Sequence, residues 1–255
     1  MPLEIEKRRL LDHCMICMMF GLKIDNVDRK EALRYAEKFF EEDRFHYIVT
    51  LNPEGVVIAQ GNKIFSSVVN DADLVVADGS WLVRAVNFLG GAIKERVAGI
   101  DLLLDILNLC KERKYSVYLL GAKEGTIVSA KKRLEDMFPG IKILGFHNGY
   151  FDAEEEARIV EEIKFLKPYF LVVGLGMPKQ EIWINRHRDL PVRLAIGVGG
   201  SFDVISGNIP RAPYWMQVIG LEWFYRILKD PKRIKRLSFI PRFFLLVLKS
   251  KLGIV

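Results

Sequence analysis

Asp78 is the residue on which chemistry is most readily built. It follows four apolar residues, Leu74, Val75, Val76 and Ala77, and precedes Gly79 and Ser80. A short β-branched run bounded by turn residues predicts a strand buried on both faces. A carboxylate at the carboxyl end of such a strand stands where open α/β sheets build their sites. It is read as the chemical centre on which the other informative stretches converge. Thr50 and Asn52 end a second buried run, 47–51, just before Pro53, which suits the first turn of a helix. Asn52 reads equally well as the cap of that helix. Arg96 lies in the loop stretch Glu95-Arg96-Val-Ala-Gly99, where it can pair with Glu95 or with a phosphate.

Three further strand ends carry glycine: Leu120-Gly121-Ala, Gly174-Leu-Gly176 and Gly197-Val-Gly199-Gly200. Glycine lets backbone N–H groups approach a ligand, and helix N-termini add partial positive charge. Together these ends suggest a cradle for a nucleotide diphosphate, although each alone also fits simple packing. There is neither a complete G-x-G-x-x-G with its acidic partner nor a G-x-x-x-x-G-K-[ST], which disfavours dinucleotide and ATP P-loop sites. The four histidines, His13, His46, His147 and His187, lack metal-ligand spacing. No metal and no cofactor are expected. Charge on a bound diphosphate would be met by arginine, helix ends and amides.

Elements must position these residues. The chain has 255 residues, half of them hydrophobic, enough for a sizeable core. Apolar runs at 20–25, 47–51, 74–77, 116–120, 142–145, 170–173 and 194–198 predict strands. Amphipathic stretches at 54–69, 81–89, 100–113, 124–138, 153–166 and 179–187 predict helices between them. This alternation predicts a Rossmann-like three-layer α/β sandwich with a mainly parallel sheet. Residues 1–19 are expected to form a helical extension, 20–210 the core, and 211–255 a helical appendage.

The net charge is +6, and it is uneven: residues 211–255 hold ten Lys/Arg against Glu222 and Asp230. Trp215, Trp223, Phe224, Tyr225, Phe239, Phe243 and Phe244 are interleaved with those cations. Short helices broken at Pro231 and Pro241, aromatic on one side and basic on the other, predict an interfacial element on an anionic membrane. The other reading is a helix packed on the core with a solvated basic face. The near-neutral body and the lack of nucleic-acid-binding motifs disfavour nucleic acid. Cys14, Cys17 and Cys110 are read as reduced apolar cysteines in a cytosolic chain. The N-terminal residues show no secretory pattern, and no stretch approaches the roughly 20 apolar residues that span a bilayer.

The motifs Thr50-Leu-Asn52-Pro53, Val76-Ala-Asp78-Gly79, Glu95-Arg96-Val-Ala-Gly99, Tyr118-Leu-Leu-Gly121, Gly149-Tyr150-Phe, Gly176-Met-Pro178-Lys-Gln180-Glu181, Gly197-Val-Gly-Gly-Ser-Phe-Asp203, Arg211-Ala-Pro213 and Leu221-Glu-Trp-Phe-Tyr-Arg226 occur in one order over about residues 20–245. In these motifs the chain resembles the WecG/TagA/CpsF family of bacterial glycosyltransferases. It departs from the family's usual Thr-Pro-Asn at Thr50-Leu-Asn52. Residues 1–19 lie outside the resemblance.

The resemblance implies the fold called GT-E and an inverting, metal-independent transfer. N-acetylmannosamine would pass from UDP to the 4-hydroxyl of N-acetylglucosamine on undecaprenyl diphosphate, in wall teichoic acid linkage-unit synthesis. By the same resemblance Asp78 is the general base. Thr50, Asn52, Arg96 and Gln180 line the sugar and acceptor pocket, with Tyr150 and Asp203 at the nucleotide beside the loops of Gly121 and Gly176. Arg211, Arg226, Arg233 and Arg236 hold the lipid diphosphate. The implied setting is the cytoplasmic face of the membrane, as a peripheral protein. The apolar appendage could bury itself against the body, against a neighbouring copy in a homo-oligomer, or in lipid. The rivals are a transferase of another UDP-sugar, such as N-acetylmannosaminuronate or glucose, and a nucleotide-binding membrane scaffold without turnover.

Overall fold

A computed structural model describes residues 16–230, 234 and 237–254. In chain order the elements are β1 (Ile16–Met19), β2 (Leu22–Asp25), α1 (Arg29–Glu41), β3 (His46–Leu51), α2 (Pro53–Gly61), α3 (Lys63–Asn70), β4 (Leu74–Ala77), α4 (Ser80–Phe88) and α5 (Gly99–Arg113). There follow β5 (Ser116–Gly121), α6 (Glu124–Met137), β6 (Lys142–His147), α7 (Ala153–Leu166), β7 (Phe170–Gly174), α8 (Lys179–Arg186), β8 (Leu194–Gly197) and α9 (Ser201–Ile205). The C-terminal stretch carries α10 (Tyr214–Ile219), α11 (Glu222–Lys229) and α12 (Phe239–Lys251).

Six strands form one sheet in the order β4-β3-β8-β7-β5-β6, flanked by helices, as the α/β alternation predicts. The pairs β3–β8, β8–β7, β7–β5 and β5–β6 are parallel. Every residue of β3, β4, β5, β7 and β8 is buried, so these strands read as unbroken apolar runs, whereas the edge strand β6 is only partly covered.

The described residues fall into two compact units. One takes in 16–30, 50–98 and the described part of 209–255; the other takes in 31–49 and 99–208. In the first unit β1 and β2 form an antiparallel hairpin, joined by Phe20 and Gly21 at φ 52° and 77°. Positive φ at both loop residues matches the right-handed twist of the strands. The expected N-terminal helix is therefore a strand over 16–19; the rest of that expectation lies outside the described residues. Four apolar residues do not distinguish helix from strand, and the Phe-Gly turn decides it.

The single helix expected over 54–69 is two helices. Asn62 ends α2 and caps α3, its side chain accepting the Phe65 N–H at 3.0 Å. Gly61-Asn62 supplies the break that apolar periodicity hides. At the other end of the chain, α12 runs through Pro241 instead of breaking there. Pro241 lies in the first turn, where its missing N–H has no intrahelical acceptor to lose. Pro231 lies outside the described residues.

Asp25 ties the hairpin to the strand that carries Asp78. Its buried carboxylate accepts the Val75 N–H at 2.7 Å. Burial pushes the Asp25 carboxyl above the usual carboxylate range, against the Val75 hydrogen bond and nearby Lys23, which pull it down. Its folded affinity for a proton exceeds the unfolded one. Its contribution is therefore fully present below the ordinary carboxylate range and is lost as pH rises through the raised value. Asp25→Asn keeps an acceptor for Val75. It is expected to flatten that decline, seen as a smaller drop in thermal midpoint between acidic and neutral buffer than in the parent protein.

Candidate active site

The first unit holds the carboxylate around which the sequence is read. β4 delivers Asp78 at its carboxyl end, and the Asp78 N–H donates to the Leu51 carbonyl at 2.7 Å. Gly79 follows with φ +151°, and a Cβ there would stand 3.1 Å from the Pro53 ring. Glycine is thus required both by the backbone and by the close approach of the α2 start. Asn52 caps α2 through its side-chain oxygen, which accepts the Gly55 N–H at 3.0 Å, and it also lines the cleft beside Asp78. The capping reading of Asn52 holds. Thr50, two residues earlier near the end of β3, is buried.

Arg96 reaches the same cleft from the loop ahead of α5. That loop is pinned by the Val97 N–H to the Ala77 carbonyl at 3.0 Å and by the Lys94 N–H to Asn26 Oδ1 at 2.8 Å. Glu95 accepts the Arg29 N–H at 2.7 Å, so the surface pair within Glu95-Arg96 gives way to a deeper arrangement. Arg96 Nη2 lies 3.4 Å from Asp78 Oδ1 and 2.7 Å from Glu222 Oε2. Side-chain exposures are 26% for Asp78, 21% for Arg96 and 10% for Glu222, so all three are partly or largely enclosed and Glu222 the most. Burial works against the Arg96 charge, but the Asp78 and Glu222 carboxylates outweigh it and hold the guanidinium above the ordinary arginine range.

The C-terminal helices make the apolar wall of this cleft: Trp223 and Ile227 from α11, and Phe239, Ile240, Phe243 and Phe244 from α12. Trp81 at the start of α4 locks them in place. Its indole N–H donates to the Gly220 carbonyl at 3.1 Å, and its ring meets Phe244 edge-on at 5.2 Å. Phe243 and Val247, one helical turn apart, are buried, while Leu245, Leu248 and Leu252 are exposed. α12 thus has a packed face and an apolar face left to solvent. No helix among the described residues is long and apolar enough to cross a membrane.

An Asp-x-Asp spacing, Asp71-Ala72-Asp73, escapes the sequence reading of metal ligands. It precedes β4, at the amino end of the strand, with Asp71 ending α3. Five residues of extended chain put Asp73 roughly 16 Å from Asp78. The pair is therefore not part of the cleft.

The second unit holds the glycine ends. Gly121 has φ +137°, and a Cβ there would come within 2.5 Å of the Gly174 carbonyl. A Cβ on Gly174 would in turn meet the Phe202 ring at 2.6 Å. These two glycines are needed for packing. Gly176, with φ +80° and open space around it, is needed for its backbone conformation alone. Gln180 is 1% exposed. Its carbonyl oxygen accepts the Gly199 N–H at 2.9 Å and the Gly176 N–H at 3.2 Å, and its amide donates to Glu181 at 2.7 Å. It braces two glycine loops from behind. Tyr150 is 71% exposed on the loop after β6, and Asp203 is half-buried in α9.

A family model described as "Glycosyl transferase WecG/TagA/CpsF family" matches residues 17–254. The chain belongs to the WecG/TagA/CpsF family. It is similar to the N-acetylglucosaminyldiphosphoundecaprenol N-acetyl-beta-D-mannosaminyltransferase of Staphylococcus aureus (strain MW2), 36% identical over 236 residues, which are 91% of this chain and 92% of the relative. The protein of the same name from Bacillus spizizenii is 35% identical over 214 residues, 84% of this chain and 82% of the relative.

As a WecG/TagA/CpsF glycosyltransferase the chain matches from residue 17, so most of β1, which the sequence reading leaves outside the resemblance, lies within it. The structure brings Asp78, Asn52 and Arg96 to one cleft. Gly121, Gly176, Gln180, Tyr150 and Asp203 lie in the second unit. Arg211 is exposed, Arg226 lies on α11, and Arg233 and Arg236 fall outside the described residues. The reading misses Glu222, Trp81 and Trp223. Glu222 leaves a signal: it is one of two acids in a stretch with ten cations, and it sits inside the motif Leu221-Glu-Trp-Phe-Tyr-Arg226.

Proposed function

We propose that this enzyme transfers N-acetylmannosamine from its UDP donor to the 4-hydroxyl of N-acetylglucosamine on undecaprenyl diphosphate, with inversion and without a metal ion. The names of the Staphylococcus and Bacillus relatives support the transferred sugar and the acceptor: they describe an N-acetylmannosaminyltransferase acting on N-acetylglucosaminyldiphosphoundecaprenol. The observation that carries the mechanism is Asp78, a partly exposed carboxylate at a strand's carboxyl end, in a cleft it shares with Arg96.

A sugar hydroxyl is a poor nucleophile. Asp78 accepts its proton as the oxygen bonds to the anomeric carbon. The bond from that carbon to the UDP oxygen breaks at the same time, and UDP leaves with the electron pair. A single displacement inverts the anomeric centre. UDP leaves as a stable anion, so no acid is required of the protein. The exposed Arg211 and the cations of α11 and beyond are suited to the lipid diphosphate. Gln180 holds the loops of Gly176 and Gly199 in the second unit by accepting both of their N–H groups. The exposed leucines of α12 beside Lys249 suit the surface of an anionic membrane, which this reading takes to be the cytoplasmic leaflet.

The test is acceptor-dependent UDP release with a panel of UDP-sugars, with and without EDTA. Release from UDP-N-acetylmannosamine, unchanged by EDTA, is expected. A preference for UDP-glucose or UDP-N-acetylmannosaminuronate overturns the donor. Loss with EDTA overturns metal independence, and no release from any sugar overturns the enzyme reading in favour of a scaffold.

A further inference from the structure

Glu222 is unusual among the residues around Asp78. It opens α11, where the first-turn amides and the helix dipole favour a carboxylate. Its side chain is nearly enclosed and makes the shorter of the two contacts to Arg96, 2.7 Å against 3.4 Å for Asp78, both to the same guanidinium nitrogen. One cation is thus shared by two carboxylates, and it sits closer to the more enclosed one.

The other groups around the cleft do not duplicate this arrangement. Among the described residues, the charged groups lining it are Glu54 from α2, Asp78 after β4, Arg96 from the loop ahead of α5, and Glu222 from α11. α12 contributes Phe239, Ile240, Phe243 and Phe244, and α4 contributes Ser80 and Trp81.

A lone arginine beside an aspartate stabilises the carboxylate and makes it a weaker base. A second carboxylate on the same guanidinium offsets that effect, both by drawing the cation away and by its own negative charge. We propose that Glu222 is a positioning residue for the transfer: by holding Arg96 it keeps Asp78 oriented and able to take the acceptor's proton. The proposal rests on the reading of Asp78 as the base. It also makes turnover depend on α11, since the carboxylate that sets Asp78 is carried by that helix.

A purely structural ion pair would also be costly to break, because removing one partner leaves a buried charge uncompensated. The pH profile separates the two roles. Removing the Glu222 charge and releasing Arg96 to Asp78 both favour the ionised base. Glu222→Gln is therefore expected to move the acid limb of the kcat profile down by about one pH unit. The plateau is expected to fall about three- to tenfold, as Brønsted behaviour gives for a weakened base. The KM for the UDP-sugar is expected to change less than about twofold, because uniform binding is untouched. Glu222→Asp, which keeps the charge on a shorter stem, is expected to restore most of both changes.

An acid limb that stays in place in folded Glu222→Gln overturns the proposal. Should Glu222→Gln fail to fold by circular dichroism, the limb is read in Glu222→Asp, where a smaller downward displacement is expected and none overturns the proposal. Asp78→Asn, assayed alongside, keeps the two claims apart. If it turns over normally, the base assignment falls and takes this proposal with it. If it is inactive while the Glu222→Gln limb is unmoved, only the role of Glu222 falls.

Discussion

Ending the chain after Pro210 is expected to reduce acceptor-dependent turnover to background. The lost residues include Glu222, Trp223, Phe239, Phe243 and Phe244, which form one wall of the cleft that holds Asp78. Phe243 is buried at 1% exposure, and removing a buried phenylalanine alone costs about 3–5 kcal/mol. Removal of the wall also leaves Arg96 without Glu222 and opens the base to water. A membrane tether and a cleft wall are two different reasons for the same loss, and point substitutions separate them. Leu245→Glu with Leu248→Glu alters only the exposed face of α12. That pair is expected to abolish pelleting with anionic vesicles and to leave UDP binding as in the parent protein. Pelleting should also weaken with salt, each Lys/Arg near the leaflet supplying about 1 kcal/mol. Unchanged pelleting by the leucine variant contradicts the membrane role while leaving the wall intact.

Replacing Asp78 by asparagine is expected to slow turnover about 10²–10⁴-fold, the usual contribution of a positioned general base. Asparagine keeps the size of the side chain and an oxygen for Arg96 Nη2, so the cleft should hold its shape. UDP binding should be unchanged, since the lost interaction belongs to proton transfer. A matched fall in kcat and kcat/KM is the signature of a contact made only in the transition state. A rise in KM with kcat preserved would instead make Asp78 a binding residue, its carboxylate serving only as a partner for Arg96.

The sheet was legible because burial on both faces writes itself as unbroken apolar runs, such as Val75-Val76 in β4 and Leu171-Val172-Val173 in β7. Asp78 was legible for the same reason: a charge placed directly after such a run stands at a strand end. Short elements were not. The strand at 16–19 and the break at Asn62 depend on two-residue turn and cap geometry, which apolar periodicity does not register. Neither was the partnership of Arg96. Sequence proximity points to Glu95, but Arg29 takes that carboxylate, and the partner of Arg96 lies 126 residues away at the start of α11. Gln180 shows the converse. Its motif was plain, yet burial and three hydrogen bonds make it a brace for glycine loops, which no spacing rule conveys.

The central claim is that proton removal by Asp78 drives sugar transfer in the first unit's cleft. The most direct measurement is single-turnover UDP formation by Asp78→Asn, with UDP-N-acetylmannosamine bound and the lipid-linked N-acetylglucosamine acceptor added in excess. A rate constant about 10²–10⁴-fold below that of the parent protein, with donor affinity intact, is the expected result. A rate constant equal to the parent's contradicts the claim.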